Sequence, residues 1–177
     1  MPRYAVYGGS FDPIHFGHLS MIERAVALDY TVIIVPAYRH AFGKKSVPFA
    51  QRLRMCELAL AACQLQARTH LCTIEQTLAR GEALPVYTYD VLCALRDKLQ
   101  VAPCLLVGPD VMAEWERWYR HADIDREFGR LCLPETRPIR STEIRQRLQT
   151  GASPSSLRDF TPEAVIAYIM TAGLYQE

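Results

Sequence analysis

Two histidines near the start of the chain are spaced to act on one ligand. His15 and His18 lie three residues apart in the stretch GGSFDPIHFGHL. Imidazole N–H groups, or imidazolium, can contact phosphate oxygens directly. The stretch follows an apolar run at residues 3–7, and we interpret Gly8 and Gly9 as a sharp exit from that strand. Two glycines alone would favour a simple tight turn followed by ordinary helix-start histidines, but two histidines at this spacing favour a phosphate site.

The turn that this order predicts suits an anion. Glycine has no Cβ to block a ligand, and the first N–H groups of a helix have no partner inside the helix. The helix dipole adds to their attraction for negative charge. We expect the helix over residues 19–27, with apolar positions at Leu19, Ile22, Ala25 and Val26.

The elements that must position these residues alternate along the chain. Apolar runs predict strands at 3–7, 31–37, 69–75, 102–110 and 130–134, and amphipathic runs predict helices at 19–27, 49–63, 85–99, 141–148 and 161–175. We expect the helix at 141–148 to open on a Ser/Thr cap. Such alternation is typical of an α/β protein with a single Rossmann-like, doubly wound parallel sheet and helices on both faces.

Unusual residues cluster where the predicted strands end. Gly8 to His18 follow the first strand, Lys44 and Lys45 follow the second, and Gly108 to Asp110 follow the fourth. In a doubly wound sheet, ligands bind beyond the carboxyl ends of the strands, where the strand order reverses. We therefore expect these residues to share one site.

Length and charge narrow the class of protein. The 177 residues are 50% hydrophobic and 22% charged, so we expect a single domain over residues 1–177. The net charge of +1 gives no broad positive field, so we expect no nucleic acid partner. No apolar stretch reaches about 18 residues and the chain starts with a strand, so we expect no membrane partner and a cytoplasmic protein.

The six cysteines indicate a reducing compartment. They form no C-x-x-C pair, and most lie in apolar segments such as MCELALAAC. We predict that they are buried free thiols.

Two signatures at opposite ends of the chain carry a family resemblance. GGSFDPIHFGHL resembles the nucleotide-binding signature of the nucleotidylyltransferase superfamily, whose hallmark is H-x-G-H, and STEIR resembles its second signature, S-T-x-I-R. VYTYDVLCALR, GPDVMAEWERW and PEAVIAYIMTAGLY resemble segments of bacterial nicotinate enzymes, and AFGKKSVPFAQRLRM resembles the lysine-bearing loop of animal enzymes. Nearly the whole chain therefore resembles the nicotinate and nicotinamide mononucleotide adenylyltransferases.

The resemblance implies a role for each matching residue. The residues implied as catalytic, on the ATP phosphates, are His15, His18, Lys45 and Arg145. Those implied to bind ATP or the second substrate are Gly8, Gly9, Ser10, Phe11, Lys44, Thr88, Gly108, Asp110, Trp118, Ser141 and Thr142. Trp118 would stack on the pyridine ring, and Thr88 would help to hold the substituent of that ring. No protein metal site is implied, because Mg²⁺ is carried by ATP.

Several of these roles have a plainer alternative. The alternatives are a solvated loop for the two lysines, core packing beside Trp115 for Trp118, a helix surface position for Thr88, and a surface ion pair for Arg145 with Glu143 or Asp159.

The chain departs from the family pattern in two places. Arg140 stands where the family has the first of two serines, and it either faces the phosphates or turns outward into solvent. The stretch between Trp118 and Ser141 is shorter than in the bacterial enzymes, which predicts that a strand or loop bordering the pocket is missing.

The function implied by the resemblance is adenylyl transfer from ATP to nicotinate or nicotinamide mononucleotide, which gives a dinucleotide and pyrophosphate in NAD biosynthesis. The implied partners are these two nucleotides, and the sequence leaves open whether the chain forms a homo-oligomer. The alternatives are a phosphopantetheine adenylyltransferase, a cytidylyltransferase and a non-catalytic nucleotide-binding module. A class I aminoacyl-tRNA synthetase fragment fits less well, because the chain has no K-M-S-K-S loop.

Overall fold

A parallel sheet lies at the centre of the protein. The computed structural model describes residues 2–39, 46–79 and 85–176, and within them five parallel strands run in the order β3-β2-β1-β4-β5. The strands are β1 (Arg3–Gly9), β2 (Tyr30–Pro36), β3 (Thr69–Leu71), β4 (Cys104–Val107) and β5 (Arg130–Cys132). β1 pairs with β2 on one side and with β4 on the other. The strand order therefore reverses at β1. The predicted α/β fold with a parallel sheet is confirmed.

Helices connect the strands and cover both faces of the sheet. They are α1 (Phe16–Ala27), α2 (Phe49–Ala62), α3 (Ile74–Leu78), α4 (Thr88–Leu99), α5 (Pro109–Ala113), α6 (His121–Glu127), α7 (Ser141–Gln149) and α8 (Glu163–Thr171). Short 3₁₀ helices occupy Gln66–Arg68, Trp115–Arg117 and Pro154–Leu157. Within the described ranges, no helix is both long enough and apolar enough to cross a membrane.

Side-chain alternation along the strands divides the core into two layers. Val32 and Ile34 of β2 pack in one layer with residues of α1, α2, α7 and α8. Ile33 and Val35 point to the other face and pack with residues of α3, α4 and α6. Because successive strand residues face opposite sides, a strand covered on both faces is apolar on both, as residues 32–36 of β2 are.

The first strand is longer than predicted. Gly8 and Gly9 do not form a turn, because they continue β1 and pair with Val35 and Pro36 of β2. The turn starts at Ser10, and the left-handed backbone conformation lies at Phe11, where φ is 48°. The interpretation of the two glycines as a sharp exit was therefore wrong.

Several predicted element boundaries also shift. α1 begins three residues before the predicted start, and α4 begins at Thr88 rather than near Pro85. The stretch 69–75 is a strand only to Leu71, and α3 then begins at Ile74. All six cysteines are free thiols as predicted, but Cys56 alone is fully buried and Cys132 is exposed.

Candidate active site

A cavity of about 460 Å³ opens at the carboxyl ends of β1, β2 and β4. Its size is typical of a pocket for a small molecule or nucleotide. The predicted site residues that line it are Gly8, Gly9, Ser10, His15, His18, Thr88, Gly108, Asp110 and Trp118. The loops after three different strands therefore bring together residues that are up to about 110 positions apart in sequence, as a doubly wound sheet requires.

His15 and His18 hold each other at the start of α1. His15 is the N-cap residue, and its Nδ1 accepts a hydrogen bond of 3.3 Å from the backbone N–H of His18. The Nδ1 of His18 accepts a bond of 3.2 Å from the backbone N–H of His15. The two rings stack with centroids 3.6 Å apart. This reciprocal capping fixes both rings against the floor of the cavity.

Both histidines are neutral at physiological pH. Burial, and next the charge of Arg140, lower the pKa of His15 from 6.5 to about 4. Burial, and next His15 itself, lower the pKa of His18 well below its ordinary value. Since each Nδ1 accepts a backbone hydrogen, each Nε2 carries the ring hydrogen. The pair therefore offers two neutral N–H donors to a ligand.

The helix N-terminus contributes less to this site than its position predicts. The N–H of Phe16 donates to Phe160 O at 2.8 Å, and the N–H of His18 is taken by His15. The expectation that the first helical N–H groups bind the anion is therefore wrong for these two. The ring Nε2 groups of the two histidines are donors that no contact within the described residues uses.

Gly17 permits the close packing of the histidine pair. A Cβ at this position would lie 2.9 Å from the Nδ1 of His15 and 2.9 Å from the carbonyl oxygen of Arg137. Such distances are too short for any side chain, so the ring or the backbone would have to move. The sequence prediction did not include Gly17, although it is the glycine of the H-x-G-H motif.

Phe11 lies beneath the histidines and outside the lining of the cavity. Its side chain is 1% exposed, and its ring packs edge-on against His18 with centroids 4.9 Å apart. A Cβ on Gly9 would lie only 3.2 Å from the Phe11 ring. Phe11 thus supports His18 from below, and Gly9 leaves it room.

Residues of the STEIR signature bond to the loop that carries the GGSFDPIHFGHL signature. The Nη1 of Arg145 donates to Asp12 O at 2.7 Å, and the hydroxyl of Ser141 donates to Pro13 O at 2.9 Å. Arg145 also bonds to the hydroxyl of Thr142 at 3.2 Å. These three side chains do not line the cavity; they lie behind it.

The predicted cap of α7 is wrong. Arg140 occupies the N-cap position, no side chain caps the helix, and Ser141 is its first residue. The hydroxyl of Ser141 is used for Pro13 instead.

The last part of the chain fixes the same loop. The hydroxyl of Tyr175 donates to the carboxylate of Asp12 at 2.6 Å, and the hydroxyl of Thr161 donates to Ile14 O at 2.8 Å. Asp12 is 5% exposed, so its bond to Tyr175 is shielded from water. We call residues 10–16 the 10–16 loop.

Arg140 lies on the cavity side, as the first of its two predicted orientations requires, and its contact with phosphates stays a prediction. Its guanidinium lines the cavity and bridges two carboxylates, with Nη2 lying 3.2 Å from Glu135 Oε2 and 3.1 Å from Asp110 Oδ2. The arginine side chain is 47% exposed. It therefore spans the edge of the cavity in contact with solvent.

The side chain of Trp118 forms an aromatic part of the cavity wall. Trp118 follows the 3₁₀ turn Trp115–Arg117 and lines the cavity, with its ring centroid 5.6 Å from that of Trp115. Trp115 is buried and donates from Nε1 to Asp125 at 2.9 Å, so it packs as predicted. Thr88 lines the cavity as the first residue of α4.

Two predictions remain: the two lysines of the second loop, and the short stretch between Trp118 and Ser141. Lys44 and Lys45 lie outside the described residues. The short stretch between Trp118 and Ser141 still holds α6, which was not predicted, and β5. Its loop supplies Glu135 and Ile139 to the lining, and the expectation that a strand or loop of the bacterial enzymes is missing here stays a prediction.

Comparisons with known proteins agree with this geometry. Residues 6–147 match the model of the cytidylyltransferase-like family. A nicotinate-nucleotide adenylyltransferase of Anaeromyxobacter dehalogenans strain 2CP-C is 35% identical over 97% of this chain and 96% of its own. A second nicotinate-nucleotide adenylyltransferase, from Solibacter usitatus, is 32% identical over 98% of this chain and 99% of its own length.

A solved structure supports the fold. The Plasmodium falciparum nicotinic acid mononucleotide adenylyltransferase complexed with NaAD superposes with a TM-score of 0.80 and 17% identity, over 99% of this chain and 98% of that one. The chain therefore belongs to the cytidylyltransferase-like family and, within it, to the family of the nicotinate-nucleotide adenylyltransferases.

Proposed function

We propose that the protein transfers the adenylyl group of ATP to nicotinate mononucleotide, in NAD biosynthesis. An oxygen of the acceptor's 5′-phosphate forms a bond to the α-phosphorus of ATP. The bond from that phosphorus to the oxygen bridging to the β-phosphate breaks, and pyrophosphate leaves with the electron pair. The products are deamido-NAD and pyrophosphate.

One observation supports this function most directly: His15 and His18 present two fixed, neutral N–H donors in a cavity at the switch point of the sheet. A phosphate monoester is already a competent nucleophile near neutral pH, so the reaction needs no general base. Catalysis then depends on holding two anions in line and on stabilising the charge that develops on the leaving group.

Neutral N–H donors suit this task, because burial of an uncharged ring costs less than burial of a charged one. Their hydrogen bonds strengthen as charge develops on the phosphate oxygens. Arg140 adds a guanidinium at the edge of the cavity. We propose that Mg²⁺ enters bound to the triphosphate, since it keeps several waters and needs few protein ligands.

The acceptor is proposed from the names of the relatives and from the aromatic end of the cavity. Trp118 offers a ring face on which a pyridine ring can stack. Thr88 opens α4, whose first turn has no side-chain cap, so backbone N–H groups there suit a carboxylate substituent. The N–H groups favour nicotinate over nicotinamide, whereas stacking on Trp118 suits either pyridine ring.

A pyrophosphate-release assay with ATP tests the proposal. The acceptors compared are nicotinate mononucleotide, nicotinamide mononucleotide and phosphopantetheine, with CTP replacing ATP in a parallel series. We expect turnover with ATP and nicotinate mononucleotide to have the highest kcat/KM. Turnover with phosphopantetheine alone would assign another adenylyltransferase, and ATP binding without any turnover would leave a nucleotide-binding module.

A further inference from the structure

Arg52 is a buried arginine that the reaction described above does not use. It lies in the first turn of α2, and its exposed fraction is 2%. Burial lowers the pKa of its guanidinium, but an arginine keeps its charge in proteins. A buried charge of this kind is costly unless its donors are satisfied.

Backbone carbonyls satisfy these donors. Nη1 donates to Ser10 O at 2.7 Å, Nη2 donates to Ala37 O at 2.7 Å, and Nε donates to Val47 O at 3.1 Å. Within the described ranges, no carboxylate forms an ion pair with Arg52. The geometry is that of a planar fork with donors on three sides, which lysine cannot reproduce.

The three carbonyls come from different segments around the cavity. Ser10 begins the 10–16 loop after β1, and Ala37 follows β2. Both residues line the cavity, while Val47 precedes α2. One guanidinium therefore fixes the separation between two walls of the pocket.

Glu75 extends this linkage to the third strand. Its Oε2 accepts a hydrogen bond of 2.8 Å from the backbone N–H of Tyr38, the residue after Ala37. Glu75 belongs to α3 and itself lines the cavity. The loops after β1, β2 and β3 are thus joined in series through Arg52 and Glu75.

An apolar side chain of similar volume would fill the space of Arg52 without the cost of desolvating a charge. Packing alone therefore does not call for an arginine here, whereas the spacing of the three carbonyls does. We propose that Arg52, with Glu75, is a positioning residue for adenylyl transfer: it holds Ser10 and Ala37 at the separation that places the bound nucleotides in line. This inference rests on the proposed function.

The test compares Arg52→Lys with Arg54→Lys, a control two residues further on in α2 whose side chain is half exposed and pairs with Glu57. Steady-state kinetics, thermal unfolding and the Kd of a non-hydrolysable ATP analogue are measured for both. We expect Arg52→Lys to lower kcat by about tenfold to a hundredfold in folded protein, since small misplacements of reacting groups are that costly. Arg54→Lys should match the wild type.

A purely structural Arg52 gives a different result: Arg52→Lys then melts at a lower temperature, while its kcat, both KM values and the Kd stay at wild-type values. That outcome overturns the proposal. If the wild type turns over no acceptor, the proposed function fails, and the Kd of the ATP analogue still reports whether Arg52→Lys disturbs the site. An unchanged Kd in that case also overturns the positioning role.

A second pair of variants decides the matter if Arg52→Lys does not fold. Glu75→Ala removes the acceptor for the Tyr38 N–H, whereas Glu75→Gln keeps an oxygen there. We expect kcat to fall several-fold in Glu75→Ala and to recover most of that loss in Glu75→Gln. Equal kinetic constants in the two variants contradict the proposal.

Discussion

Two sides of the cavity are built from different kinds of contact. On the buried side, formed by the loops after β1, β2 and β3, Arg52 and Glu75 bond to backbone carbonyls and to a backbone N–H. On the exposed side, formed by the loops after β4 and β5, Arg140 bridges the carboxylates of Glu135 and Asp110. Arg52 is 2% exposed, whereas the side chain of Arg140 is 47% exposed.

This difference indicates which side of the cavity already has its final geometry before the nucleotides bind. Contacts shielded from water hold their geometry, while exposed ion pairs contribute only about 0–1 kcal/mol and are screened by salt. We expect the buried side to keep its shape and Arg140 to exchange its carboxylates for phosphate oxygens. Changes on the buried side should then lower kcat, and changes on the exposed side should alter the KM for ATP.

The largest effect is expected at the histidine pair of the buried side. His18→Ala should lower kcat by about 10²-fold or more, the scale for removing a preorganised donor to developing charge, and His15→Ala should act similarly. The measurement is steady-state kinetics at saturating ATP, with thermal unfolding to verify the fold. His70→Ala, at an exposed residue of β3, is the matched control. Wild-type kcat in both histidine variants would contradict the phosphate site.

A smaller loss is expected when the same pair is displaced rather than removed. In Gly17→Ala the added methyl would lie 2.9 Å from His15 and from the backbone of Arg137, so the ring must shift. We expect kcat to fall by about tenfold or more, because misplaced donors lose much of their effect. The kcat of the folded variant is compared with that of the wild type. A folded Gly17→Ala protein with full activity would show that the pair tolerates movement.

On the exposed side the expected effect is on ATP binding. Arg140→Ser should raise the KM for ATP about tenfold with little change in kcat, since a lost charge-assisted bond is worth about 1.5 kcal/mol or more. Glu135→Gln should shift the KM the other way by a few-fold, because it removes a carboxylate that competes with phosphate. An unchanged KM in Arg140→Ser, beside an impaired Arg145→Ala, would show that Arg140 does not meet ATP.

The smallest effect is on stability as a function of pH. Burial raises the pKa of Glu75 from 4.5 to about 7, so between these values the folded protein holds a proton that the unfolded chain has released. The stability that Glu75 contributes is therefore lost as the pH rises toward and through 7. The histidines act oppositely: because the pKa of His15 falls from 6.5 to about 4, stability is lost as the pH falls below 6.5.

The variant Glu75→Gln separates the contribution of Glu75 to the pH dependence of stability from that of the histidines. Its free energy of unfolding, relative to the wild type, should rise by about 1 kcal/mol or more between pH 5 and pH 8, since each pKa unit corresponds to about 1.4 kcal/mol. Urea unfolding at several pH values measures this difference. A difference that does not depend on pH would mean that Glu75 titrates normally.

The sequence was sufficient for the sheet and most helices, because apolar strands and amphipathic helices repeat with distinct periods. It missed the short helices α3, α5 and α6, each of which has at most one buried residue and therefore no repeating apolar face. It also misjudged Gly8 and Gly9, whose strand conformation depends on pairing with β2. The prediction of a single domain over residues 1–177 stays a prediction.

For the site, the sequence named residues that line the cavity but not those that hold them. His15, His18 and Trp118 were recognisable from motifs, and all three line the cavity. Arg52 and Glu75 were not found, because nothing in the sequence tells a buried arginine from a solvated one. Their roles depend on backbone carbonyls and N–H groups that only the fold brings together. The individual catalytic and binding roles remain predictions.

The hydrogen bond between Tyr175 and Asp12 affects when the loop at Asp12 can become ordered during synthesis on the ribosome. The loop of residues 10–16 is synthesised well before Thr161 and Tyr175, which hold it. At about 5–20 residues per second, the loop waits roughly 10–30 s for these partners. We therefore expect this loop to reach its final position, and ATP to stabilise the protein, only after residues 161–175 have been made.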